Sequence, residues 1–145
     1  MATDGSQAAI DAAQHALKLL RPGATIELVM VIPEKEDPLE DAGGIEGPLI
    51  TPEEADKDWE EAVRLGQAAL ERTAQAVGPT VDVRLVPADG GTGAGIVKIA
   101  EDMKADVLVV GARAKGLLNR IFTRSVSDYV IHHAHCPVLL VRHEG

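Results

Sequence analysis

The residues best suited by type and spacing to do chemistry lie in the last third of the chain. There Asp106-Val107-Leu108-Val109-Val110-Gly111 is followed by Ser125-Val126-Ser127 and then by His135-Cys136-Pro137-Val138-Leu139-Leu140-Val141. The first run is uniformly apolar, as in a strand buried on both faces of a parallel sheet, and it stops at a glycine that leaves backbone amides accessible to a ligand. Ser125 opens a helical pattern with Val126, Tyr129, Val130 and His133 on one side. Its hydroxyl is placed to cap that helix, whose N-terminal N–H groups favour an anion. Strand, glycine loop and helix start together suggest a phosphate site; the plainer reading is that the same residues only end a strand and cap a helix. Between them Arg113, Lys115, Arg120 and Arg124 concentrate positive charge in a chain with 23 acidic and 14 basic residues. Such a cluster beside a helix start attracts phosphate.

Other arrangements are weaker. Gly91-Thr92-Gly93-Ala94-Gly95 invites comparison with a dinucleotide fingerprint, but Ile96 stands where the last glycine belongs. A flexible strand-to-helix connection is the expected reading. His132, His133, His135 and Cys136 are ligand types, yet they fall at a helix end running into a strand, with diverging directions and no second cluster, so no metal is expected. No serine sits in a nucleophile elbow and no His–carboxylate relay is recognisable, so the chain is not read as an enzyme.

The elements that position these residues alternate between strand and helix patterns five times, which argues for an α/β sandwich built on a parallel sheet. Residues 25–32, 107–110 and 138–141 are largely apolar and read as strands buried on both faces, whereas Thr80-Val81-Asp82-Val83-Arg84-Leu85 alternates like an edge. A first helix presents Ile10, Ala13, Leu17 and Leu20. The second helix has Thr51 as N-cap, Pro52 at its first position and Glu54 completing a capping box, with Trp59, Ala62, Val63, Gly66, Ala69, Leu70 and Thr73 facing inward. The acidic, Gly- and Pro-rich stretch at about 33–50 reads as a mobile loop. Only Met1, Ala2 and Thr3 precede Asp4, too few for a central strand of about five residues. Either upstream residues complete it, a coding valine having been read as the initiator Met1, or the strand is short and leaves an exposed sheet edge.

Composition narrows the partners. A net charge of −9 repels polyanions and anionic membranes, and one Trp, one Tyr and one Phe give no stacking platform, so neither nucleic acid nor membrane is expected. A lone Cys136 excludes an internal disulfide, and no apolar run nears the ~18 residues of a spanning helix; the reading is one cytoplasmic domain over residues 1–145.

Residues 107–111 and 125–141, together with Ala2-Thr3-Asp4-Gly5-Ser6 and the helix that follows, resemble the universal stress protein family. The resemblance spans the chain apart from about 33–50. It implies a three-layer α/β sandwich of the adenine nucleotide α-hydrolase type, with a five-stranded parallel sheet ordered 3-2-1-4-5, the first strand truncated here. It implies a stress-response regulator that binds or senses, with ATP as the candidate ligand at the point where the winding reverses. The site residues it implies are Asp4 and Val31 at the base, and Gly111, Arg113, Ala114, Arg124, Ser125 and Val126 around the phosphates. From the residues alone, Asp4 can equally cap the first helix alongside Ser6. Nucleotide-binding members of the family carry Gly, two residues, Gly, nine residues, Gly, then Ser or Thr. Here the positions are Gly111, Ala114, Arg124 and Ser125, so one glycine of three survives. The alternative is therefore a dimeric interaction module that has lost ATP because Ala114 and Arg124 replace glycines. In both readings the resemblance implies a homodimer through the last strand, from Val138 to Val141.

Overall fold

The computed structural model describes residues 1–32, 34–35, 50–78, 81–88, 90–112 and 124–142, with the backbone alone at Arg124 and Ser125. Eight elements follow in order: α1 (Gln7–Leu19), β1 (Ile26–Ile32), α2 (Pro52–Val77), β2 (Val81–Pro87), α3 (Thr92–Asp102), β3 (Leu108–Ala112), α4 (Arg124–His133) and β4 (Val138–Arg142). The expected acidic loop falls almost wholly outside the described residues.

The strands form two parallel pairs, β1 with β2 from Ile26 opposite Val81, and β3 with β4 from Leu108 opposite Val138. Residues 1–3 join the pairs. The Val29 N–H donates to the Met1 carbonyl (2.8 Å), the Thr3 N–H to the Val29 carbonyl (2.9 Å) and the Ala2 N–H to the Val109 carbonyl (2.9 Å). Three residues make only one isolated bridge, Ala2 with Val29. Among the described residues the sheet comprises four strands and this stub. β2 pairs with β1 and is largely exposed, as its alternating sequence predicts.

Successive stub side chains face opposite layers, following the strand period of two. Ala2 joins Val31, Ile96, Val110 and Val130 beneath α3 and α4. Met1 packs against both the Ala12, Ala16, Val109 and Val141 cluster and the Leu28 and Leu70 cluster, under α1 and α2. Leu28, Leu70, Ile96, Val110 and Val130 are fully buried, each contributing about 1.5–3 kcal/mol.

Two sequence expectations need correction. The buried face of α1 is Ala12, Ala13 and Ala16, with Ile10, Leu17 and Leu20 half-buried at its margins. Alanines let the helix lie close on β3 and β4. The glycine run at 91–95 is no flexible connection: Gly91 caps α3 at φ +100°, and Gly93 and Gly95 are buried inside the helix. A Cβ on Gly93 would sit 2.9 Å from Tyr129 Cδ1, so the missing side chain is where α4 packs. The second helix starts as read, with Thr51 and Glu54 forming both bonds of the capping box and Pro52 at its head.

Candidate functional site at the carboxyl edge of the sheet

Because every strand pair is parallel, the carboxyl ends of β1, residues 1–3 and β3 lie at one edge. Asp4 follows the stub there, two residues beyond Ala2. Gly111 lies two residues beyond the Val109 carbonyl that Ala2 bonds, and Val31 two beyond the bridge partner Val29. The parallel register sets Ala2 opposite Val29 and Val110, so Asp4 is level with Val31 and Ala112, and Gly111 lies one residue before that level on β3.

A compact turn fixes Asp4. Thr3, 1% exposed, accepts the Gly5 N–H on Oγ1 at 3.1 Å, and Asp4 Oδ1 accepts the Ser6 N–H at 2.9 Å. Ser6 in turn caps α1, its Oγ accepting the Ala9 N–H at 3.2 Å. Asp4 therefore does not itself cap the helix; it holds the residue that does. That bond occupies one of about four acceptor positions on a carboxylate. Gly5 has φ +72°, and a Cβ there would lie 2.5 Å from Ala69 Cβ, so conformation and packing both demand glycine.

Gly111 is different. Its φ lies outside the left-handed region, and among the described residues an added Cβ would meet only Ala12 Cβ, at 3.6 Å, an ordinary contact. Among the described residues neither backbone conformation nor the neighbouring helix requires glycine at this strand end.

Val31 is 6% exposed and packs with Ile96 and Val97, with Gly95 against its methyls. Its side chain is core. Val126 is also buried, beside Val130. α4 is described from Arg124 onward, with Ser125 inside the helix. Arg113, Ala114 and Lys115 lie outside the described residues.

Sequence reasoning missed the parts played by Thr3 and Gly5. A Thr-Asp-Gly-Ser run directly before an apolar helical pattern was the signal, since Thr and Asp side chains bond the backbone two residues on and glycine takes positive φ. The histidine and cysteine cluster does not converge. The His133 ring stacks on Tyr129 with centroids 3.9 Å apart, and its Nδ1 lies 2.8 Å from the Tyr129 carbonyl oxygen. His135 instead faces Glu101, Nε2 to Oε1 3.9 Å. Among the described residues no group of acids, histidines and cysteine is arranged to hold a metal ion, and no helix is long and apolar enough to cross a membrane.

An α/β sandwich with parallel strands, whose strand ends and helix starts meet at one edge, defines a class that binds ligands at that edge. The universal stress protein family model matches residues 1–142, and the chain belongs to that family. It is 32% identical over 147 residues to the universal stress protein MJ0531 of Methanocaldococcus jannaschii, covering 97% of this chain and 78% of the relative. The solved structure of protein MJ0577 superposes with a TM-score of 0.63 at 29% identity, over 99% of this chain and 94% of the other. The universal stress protein of Archaeoglobus fulgidus, solved in complex with dAMP, shares the fold at 21% identity and a TM-score of 0.57, over 97% and 93% of the two chains.

Proposed function

We propose that this protein is a stress-response regulator that binds an adenine nucleotide between the carboxyl ends of β1 and β3 and acts by binding rather than turnover. The observation that carries the reading is Gly111, a glycine at a strand end that neither its backbone nor its packing among the described residues requires. It lies at the same strand-end edge as a carboxylate, Asp4, suited to ribose or adenine hydroxyl and amino donors. The first turn of α4 supplies N–H groups for phosphate. The dAMP held by the Archaeoglobus relative supports the ligand class. In this reading residues 1–3 occupy the middle of a sheet ordered 3-2-1-4-5, which puts the site at the reversal of winding. ATP is included among the candidate nucleotides, and no metal of the protein's own is invoked. The proposed setting is the cytoplasm.

Calorimetric titration with AMP, dAMP and ATP tests this, with binding expected tighter than about 1 mM, or roughly −4 kcal/mol. Gly111→Ala should lower nucleotide affinity tenfold or more while the melting temperature stays within about 2 °C, because the methyl meets only an ordinary contact. Absence of binding for all three nucleotides would leave the dimeric interaction module. One feature favours a dimer in either case: among the described residues β4 pairs only with β3, and Leu140 on it is 38% exposed, an apolar edge that a second copy of the chain would cover.

A further inference from the structure

Aspartate is followed directly by glycine at Asp4-Gly5 and again at Asp89-Gly90. This pairing is prone to close on itself, because glycine has no Cβ to shield its amide nitrogen from the neighbouring side-chain carboxyl. At the first pair the Gly5 nitrogen attacks Cγ of Asp4, forming a C–N bond, while a carboxyl oxygen leaves as water with the amide proton and the carboxyl proton. Water then opens the cyclic imide. Addition at Cγ restores aspartate. Addition at the Asp4 main-chain carbonyl carbon breaks its bond to the Gly5 nitrogen and leaves the chain running through Cγ, an isoaspartate. No oxidant or cofactor enters, and the water lost in the first step returns in the second.

The turn around Asp4 holds back each part of that step. Thr3 Oγ1 accepts the Gly5 N–H at 3.1 Å, the proton that must leave before the nitrogen can attack, and Thr3 is buried, so the bond is shielded from water. Asp4 Oδ1 accepts the Ser6 N–H at 2.9 Å, which keeps the carboxyl from turning onto the nitrogen. Gly5 lies so close to Ala69 that a Cβ on it would come within 2.5 Å of Ala69 Cβ, so its peptide unit has little room to rotate on that side. Both flanks are tied as well, the Thr3 N–H to the Val29 carbonyl at 2.9 Å and Ser6 to α1 through its cap. Gly90 differs. It is exposed, and among the described residues a Cβ there would meet only Ala94 Cβ, at 3.6 Å.

We propose that Asp4-Gly5 is a modification site, unreacted while its turn is closed and converted to isoaspartate when the turn opens. A reaction that passes through a transiently open form proceeds in proportion to the time spent open. The product cannot be absorbed in place. It adds a backbone methylene between Thr3 and Ser6, which are both fixed, and it leaves the free carboxylate on the Asp4 Cα instead of at the end of a side chain. The bond from the Ser6 N–H and the cap on α1 are lost together. Loss of nucleotide binding on conversion rests on the reading of Asp4 given above; the chemistry of the turn does not.

The test incubates the 145-residue protein, its Thr3→Val and Thr3→Ser variants and a free peptide of residues 2–8 side by side at neutral pH, below the melting temperature. Isoaspartate at each position is counted by fragmentation mass spectrometry. Asp4 should convert more slowly in the folded protein than in the peptide, by about tenfold or more. Thr3→Val keeps the buried shape and removes the acceptor, so it should raise the rate at Asp4 severalfold and leave Asp89 unchanged. Thr3→Ser keeps the acceptor and should raise it less. Equal rates at Asp4 in protein and peptide overturn the proposal, and so does a Thr3→Val effect that is absent or equally large at Asp89. The comparison of protein with peptide needs no variant, so it decides alone if Thr3→Val does not fold. Protein fractionated to carry isoaspartate at position 4 should bind AMP about tenfold more weakly than the unconverted fraction. If both fractions bind alike, conversion does not govern the site and that part of the proposal is overturned. If neither binds, the nucleotide reading fails while the conversion rates still decide the modification site.

Discussion

The two ends of the channel between β1 and β3 share the same walls and are specified in opposite ways. At the carboxyl end, three side chains within four residues, Thr3, Asp4 and Ser6, each accept a backbone N–H, and Gly5 is pinned against Ala69. At the amino end the walls line an open groove with the buried Met1 amine beside it. Local polar chemistry fixes the first end whatever the rest of the sheet does. The second depends on pairing with chain segments distant in sequence. A binding edge can therefore be well formed while the sheet beneath it is half filled.

The largest effect expected is at the fixed end. Gly5→Ala places a residue at φ +72° and drives its Cβ to 2.5 Å from Ala69 Cβ, so denaturant unfolding should show a loss of about 3–4 kcal/mol from left-handed strain and overpacking together. Adding Ala69→Gly should recover the packing part and leave the strain. Full recovery would mean that the turn is less constrained than its bonds indicate.

At the open end the expected effect is smaller and depends on pH. The Met1 amine has its pKa lowered from 8.0 to about 6 in the folded protein. Between pH 6 and 8 the unfolded chain holds a proton that the folded one lacks, so folding stability rises with pH across that window. The penalty is complete below 6 and gone above 8, and is worth about 2–3 kcal/mol. Comparing the free and acetylated termini isolates this contribution from the histidines, and identical pH profiles would place the amine in solvent.

The smallest effect concerns ligand at the fixed end. Arg124 is the first described residue of α4, at a position where the family resemblance implies glycine for nucleotide binding, and Arg124→Gly is expected to tighten ATP binding about tenfold, or about 1.4 kcal/mol. Weakening by roughly 1.5–3 kcal/mol instead would assign the guanidinium to phosphate.

What the sequence revealed follows the range of the interactions. The start of α2 was legible because Thr51, Pro52 and Glu54 act within one turn, and β2 was legible as an edge because alternation reports one exposed face. The face of α1 was not. Ile10 and Leu17 look more apolar than Ala12 and Ala16, but small side chains let the helix approach β3, where Gly111 waits 3.6 Å from Ala12 for any added Cβ. The glycines of α3 misled for the same reason, since the partners that fix them, Tyr129 and Val31, lie on other elements. At the candidate site, Asp4 and Gly111 were readable as strand-end residues. The helical position of Ser125 was not, because caps and first-turn residues share a composition.

The bond from the Ala2 N–H to the Val109 carbonyl makes residues 1–3, synthesised well before β3, among the last to find their place. At synthesis rates of about 5–20 residues per second, the opening segment waits several seconds for β3 to emerge. Closing a loop of that size costs roughly 4 kcal/mol of chain entropy before any constant term. The β1–β2 half, with α2 across it, is complete by then. Residues 1–3 thus work as a late clasp between an early half and a late half, and the binding edge comes into being only when the clasp shuts.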